Sequence, residues 1–159
     1  MHLNCGMVMS AEENSLRNFV LPVRVYYEDT DAAGMVYYAN YLKFMERART
    51  EWLRVLGFQQ SRMVEDQGVA FVARSAAIEY LKSARLDDLL EIDTRVASVG
   101  RAQVVFDQRV LRGDEILASG MMRIACVDPT RGRPCAMPND LLDMFRCLLP
   151  VLPVQKTLN

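Results

Sequence analysis

The stretch Tyr26-Tyr27-Glu28-Asp29-Thr30-Asp31-Ala32-Ala33-Gly34-Met35-Val36-Tyr37-Tyr38-Ala39-Asn40-Tyr41 decides the fold. It joins a predicted strand to a predicted helix that begins near Asn40. Between them lies an acidic turn with one glycine and a cluster of tyrosines. Such a turn holds a carboxylate beside a helix N-terminus, where exposed N–H groups and the helix dipole favour negative charge. A carboxylate serves as base or nucleophile, and N–H groups stabilise a developing oxyanion. Gly34 fits a positive-φ position or a close backbone approach.

Upstream, Phe19 to Glu28 is rich in β-branched and aromatic residues and reads as a strand. Downstream, Asn40 is a good helix N-cap candidate. Tyr41, Phe44, Met45, Ala48, Trp52, Val55 and Leu56 follow at helical spacing, with Leu42 and Leu53 widening the stripe and Gly57 closing the helix. An apolar stripe this wide predicts a helix wrapped by a sheet. Gln60 to Gln67 reads as a short second helix ending at Gly68.

The apolar period then changes from helical to two. Val69 to Leu81 is long for one strand, with a bulge expected near Arg74. Leu89 to Val99, Ala102 to Leu111 and Ile116 to Val127 alternate and are joined by the turns at Gly100-Arg101 and Arg112-Gly113-Asp114. They predict an antiparallel meander. In the last of them Ile116, Ala118, Met122 and Ile124 form the expected inward face. Asp128 to Pro134 reads as a loop and Leu141 to Leu148 as a short helix. The fold class is α+β, with a curled antiparallel sheet of about five strands around one long helix. Residues 1–18 read as a flexible extension, 19–149 as one domain and 150–159 as a tail.

With 159 residues the chain is long enough for one substantial core. A net charge of −1 gives no general reason to expect nucleic-acid binding. No apolar run reaches the ~18 residues of a membrane span, and the first residues lack a signal-peptide pattern, so a cytoplasmic location is expected. Cys5, Cys126, Cys135 and Cys147 have no CxxC spacing, which argues for reduced thiols over a zinc site. The single histidine, His2, lies in the predicted extension, so histidine-based catalysis is disfavoured.

Residues 27–41, together with Phe44-Met45-Glu46-Arg47-Ala48-Arg49 and the Ala84 to Asp88 connection, resemble the 4-hydroxybenzoyl-CoA thioesterase family. The closest branch is the Tol–Pal-associated acyl-CoA thioesterases, and the resemblance runs from about Pro22 to Leu148. It implies a hotdog fold, a dimer joined edge to edge and often paired into a tetramer, and active sites at the dimer interface. It also implies acyl-CoA hydrolysis without metal or redox cofactor, coenzyme A being part of the substrate. An acyl-carrier-protein thioester is a further substrate to test.

By position, the resemblance makes Asp31 the catalytic carboxylate and the Tyr38 backbone N–H the oxyanion donor. Gly34, Val36, Tyr37 and Asn40 fall along the substrate path. The chain has Tyr38 where the closest branch commonly has histidine, which bears on substrate and rate. Without the resemblance, Asp31 would read as a turn aspartate in an Asx-turn, and Asp29 keeps that reading. Glu46 reads as a solvated or paired helix residue, the alternative being an acid that faces the active site and supports the groups in it. Coenzyme A carries phosphates, for which Lys82, Arg85 and Arg101 collectively are the expected cations, with Arg131 and Arg133 as further candidates.

Two rivals stand beside hydrolysis. A hotdog dehydratase needs a histidine paired with an acid, and the predicted domain has none. A non-catalytic thioester-binding or scaffold protein is separated from the enzyme by activity alone.

Overall fold

The computed structural model describes residues 17–150. The predicted extension and tail therefore lie outside the described residues, apart from Arg17, Asn18 and Pro150. Strand β1 is Asn18–Arg24, and a 3-10 turn follows at Tyr27–Asp29. Helix α1 is Tyr38–Val55, α2 is Gln60–Gln67, β2 is Ala70–Tyr80 and β3 is Leu89–Gly100. Strand β4 is Gln103–Arg112, β5 is Glu115–Asp128, β6 is Arg133–Pro134 and α3 is Asn139–Cys147. The first strand is shorter than expected, because the chain turns at Tyr26 once Asp29 Oδ2 accepts the Tyr26 N–H.

The sheet is antiparallel in the order β1-β3-β4-β5-β2, with short β6 added to β5. Helix α1 packs on its inner face in the expected hotdog arrangement. Phe44, Met45 and Ala48 have no exposed surface, and Trp52 has 2%. Each large side chain so buried contributes about 1.5–3 kcal/mol. Trp52 meets Phe106 of β4, and Phe106 meets Phe145 of α3, so α3 closes the far side of the core.

The strand pattern needs correction at two positions. Register slips at Arg74 in β2, as expected, but also at Ala97 in β3, and at Leu117 in β5, between the pairs Val110–Ala118 and Leu111–Ile116. One extra residue reverses the alternation beyond it, so Leu117 is fully buried while Ile116 is only half-buried. On α1 the stripe is narrower than expected, since Leu42 and Val55 are exposed. In β5, a Cβ at Gly120 would lie 2.9 Å from the Ala77 carbonyl, so only glycine lets β2 pair there.

One polar ladder crosses the apolar layer. Gln108 has no exposed surface, and its Nε2 donates to the Met45 carbonyl and to Thr94 Oγ1, each at 2.9 Å. Its Oε1 accepts from Arg49 at 2.6 Å. Period-two reading passed over Gln108 because it stands between Phe106 and Val110 on an apolar face.

Candidate active site

The decisive turn closes on itself. The Tyr37 N–H donates to the Asp29 carbonyl at 2.9 Å, and Thr30 and Val36 form an isolated bridge. Asp31 N–H donates to the Met35 carbonyl at 2.8 Å, and Gly34 N–H donates to the Asp31 carbonyl at 3.0 Å. Gly34 adopts φ +73°, the left-handed conformation such a turn requires.

Asp31 is exposed. Its Oδ1 accepts N–H groups from Ala33 at 2.9 Å and Met35 at 3.3 Å. The first contact is an Asx-turn, so the ordinary reading of this aspartate is fulfilled geometrically. It does not exhaust the side chain. Oδ2 has no partner among the described residues, so one oxygen is anchored and the other faces solvent.

Asn40 is not the N-cap. Helix α1 begins two residues earlier, with Tyr37 at the capping position and no side-chain cap. Asn40 lies buried in the first turn, where its amide donates to the Asp29 carbonyl at 2.9 Å. It ties the helix to the acidic turn. The uncapped start leaves the N–H groups of Tyr38 and Ala39 without an acceptor among the described residues, as helix geometry requires.

Tyrosines surround this helix start. Tyr37 and Tyr38 rings lie 4.7 Å apart, and Tyr80, the last residue of β2, meets Tyr38 at 6.3 Å and Tyr41 at 5.4 Å. The Tyr80 hydroxyl donates to the Tyr38 carbonyl at 3.0 Å. Tyr41 is buried, and its hydroxyl accepts the Ala84 N–H at 2.9 Å. Burial raises the Tyr41 and Tyr80 phenols above their ordinary range, and contact with Tyr38 raises Tyr37, so all three stay neutral near pH 7. Tyr80 was missed because no sequence spacing links the end of a strand to a helix more than thirty residues earlier.

The expected cations separate. Lys82 pairs with Glu115 at 2.5 Å, and Arg85 is exposed beside its bridge to Met35. Both lie at the Tyr80 end of β2. Arg101 lies in the β3–β4 turn, where Ala102 accepts the N–H of Cys126, the partner of Phe71 at the other end of β2. From Leu117, which accepts the Lys82 N–H, to Cys126 is on the order of 30 Å of strand. One subunit does not bring the three together. Arg131 and Arg133 are exposed near β6, also away from Asp31.

Glu46 lines a cavity of about 120 Å³ between the second half of α1 and the sheet, with Arg49, Phe71, Ala73, Phe106 and Phe145. Burial lowers the Arg49 guanidinium to about 10. Glu46 Oε1 accepts from Thr50 at 2.7 Å.

The profile of the Thioesterase-like superfamily matches residues 25–145. The chain belongs to this superfamily. Within this thioesterase family it is 48% identical over 130 residues to the acyl-CoA thioesterase YbgC of Haemophilus influenzae, covering 82% of this chain and 96% of that one. It is 45% identical over 129 residues to the acyl-CoA thioester hydrolase YbgC of an Escherichia coli O6:H1 strain, covering 80% and 96%. A probable thioesterase from Bartonella henselae superposes with a TM-score of 0.73 at 35% identity, covering 76% of this chain and 99% of that one. The thioesterase assignment and the hotdog fold expected from residues 27–49 both stand.

Proposed function

We propose that this thioesterase hydrolyses acyl-CoA to free acid and coenzyme A through Asp31, as a cytoplasmic homo-oligomer with no metal or redox cofactor. The observation that carries the reading is the divided Asp31 carboxylate, Oδ1 held by the turn and Oδ2 open beside an uncapped helix start.

In this reading Asp31 Oδ2 takes a proton from water, and the hydroxide adds to the thioester carbonyl carbon. The Tyr38 and Ala39 N–H groups receive the oxyanion, a contribution worth roughly 3 kcal/mol per donor in comparable sites. The C–S bond then breaks, and the thiolate leaves and takes up the proton. Direct attack by Asp31, giving an anhydride that water opens, uses the same groups. Gly34 and Val36 shape the turn, and Tyr37 and Tyr38 wall the acyl path.

Strand β2 supports the oligomer. It is an eleven-residue edge strand with exposed Val72 and Tyr80, and long exposed edges invite pairing. Antiparallel pairing of two copies sets the Tyr80 end of one beside the Phe71 end of the other. That juxtaposition gathers Lys82 and Arg85 of one copy with Arg101 of the other for the coenzyme A phosphates. It also brings the Glu46 cavity of one copy toward the helix start of the other.

Thiol release from acetyl-, hexanoyl-, palmitoyl- and benzoyl-CoA by wild type and Asp31→Asn tests the reading. Asparagine keeps the Oδ1 acceptor, so the fold is expected to persist while turnover drops by tenfold or more, at least about 1.4 kcal/mol. An Asp31→Asn variant as active as wild type rules Asp31 out. A folded wild type inert toward all four moves the assignment to acyl-carrier-protein thioesters or to binding without catalysis.

A further inference from the structure

We propose that Arg112, the last residue of β4, is a positioning residue that aims Asp31; the inference rests on Asp31 being the hydrolytic carboxylate. Arg112 lies in a line of four alternating charges at the Tyr80 end of the sheet. Its Nη1 donates to Asp88 Oδ2 at 2.7 Å, and its Nη2 donates to Glu115 Oε2 at 2.7 Å. Glu115 Oε1 accepts from Lys82 at 2.5 Å. The side chain is about one-third exposed, where isolated ion pairs add little stability. What sets this pair apart is the next contact. Asp88 Oδ2 also accepts the backbone N–H of Arg85 at 2.8 Å, so the guanidinium fixes the oxygen that fixes the main chain.

The main chain at Ala84 and Arg85 is in turn the partner of the catalytic turn. Val36 N–H donates to the Ala84 carbonyl at 2.9 Å, and Met35 bridges Arg85. Met35 then holds Asp31 twice. Its carbonyl accepts the Asp31 N–H at 2.8 Å, and its own N–H reaches Asp31 Oδ1 at 3.3 Å. The path from Arg112 to Asp31 therefore runs through Asp88, Arg85 and Met35, with a hydrogen bond or backbone bridge at every step.

The connecting segment also carries strain. Asp87 has φ +69°, the single positive φ among described non-glycine residues. Such a conformation persists only where neighbours impose it. Val25 brackets it by accepting the Asp87 N–H at 3.1 Å and donating to the Asp88 carbonyl at 3.0 Å, and Arg24 donates to the Asp87 carbonyl at 2.6 Å. Freed from Arg112, Asp88 no longer clamps the other side, and a small displacement of Met35 re-aims the carboxylate. Catalysis is sensitive to misplacement on the ångström scale.

The test measures steady-state thiol release by the full chain, using whichever of the four acyl-CoAs above wild type hydrolyses fastest. Arg112→Ala, Arg112→Lys and Asp88→Asn are compared in wild-type and Asp31→Asn backgrounds. The expected result is a kcat at least tenfold lower for Arg112→Ala and Asp88→Asn, with KM within about threefold. Arg112→Lys recovers part of it, lacking the fork that spans Asp88 and Glu115. In the Asp31→Asn background none of the three lowers the residual rate further. A merely structural role would instead depress both backgrounds alike. If circular dichroism shows Arg112→Ala unfolded, Arg112→Lys and Asp88→Asn decide. A kcat within twofold of wild type for these variants, or an equal loss in both backgrounds, overturns the inference while leaving Asp31 in place. Full activity of Asp31→Asn itself overturns both.

Discussion

The Tyr80 hydroxyl donates to the Tyr38 main-chain carbonyl at 3.0 Å, and the two rings meet edge to face. The end of the edge strand thereby sets the first turn of α1, which supplies the proposed oxyanion donors. Tyr80→Phe keeps the ring and deletes one hydrogen bond, worth about 1 kcal/mol net. We expect kcat/KM to fall about fivefold, with the thermal midpoint lower by no more than about 4 °C. Steady-state kinetics check this, and unchanged kcat/KM would show that β2 does not position the helix start.

Gln108→Leu is expected to be among the costliest single changes. It removes the acceptor for the half-buried Arg49 guanidinium and the side-chain partner of the buried Thr94 hydroxyl, and leaves the Met45 carbonyl with its helix bond alone. A loss of about 2–3 kcal/mol follows from leaving a half-buried charge and a buried hydroxyl unsatisfied. Urea unfolding measures it. Adding Arg49→Met should recover part of the loss, because the uncompensated charge is then gone.

Gly34→Ala should cost about 1 kcal/mol, entirely through the backbone. The new methyl would meet nothing within 4 Å, but φ +73° is unfavourable for alanine. Gly34→Asn should lose less, since asparagine tolerates this region. Equal stability for glycine, asparagine and alanine by urea unfolding would mean that the turn relaxes to another conformation.

Stability should decline at alkaline pH through Cys126. Burial foremost, then the Cys135 sulfur at 3.7 Å, pushes this thiol from an ordinary 9.0 up to about 12. The folded state prefers the neutral thiol, so its contribution is complete below pH 9 and is lost between pH 9 and 12. The slope approaches about 1.4 kcal/mol per pH unit for one proton. Denaturant midpoints under reducing conditions should show it in wild type, and Cys126→Val should remove that part of the slope.

The fold was legible because its signals are periodic. The helical spacing of Phe44, Met45, Ala48 and Trp52 and the alternation of Leu90, Ile92, Thr94 and Val96 mark buried faces from neighbouring residues alone. Where one residue broke the period, as at Leu117, the assignment of Ile116 to the core failed, since a bulge is set by the partner strand.

For the site, residue types and the 31–38 turn were readable, because a glycine, an aspartate and a helix start within eight positions are a local matter. Local rules also placed the cap three residues late at Asn40, whose true partner, the Asp29 carbonyl, lies across the turn.

The sequence by itself determined the α+β class with a sheet around one helix, the acidic turn with Asp31 and Gly34, and the helix that follows, all governed by short-range spacing, and the family resemblance added the hotdog arrangement. Only the tertiary structure decided that Tyr80 holds Tyr38, that Lys82 pairs with Glu115 far from Arg101, and that Gln108 bridges Arg49 to the sheet. Those relationships join residues tens of positions apart, and it is the register of the strands and the seat of the helix on them that bring such residues together.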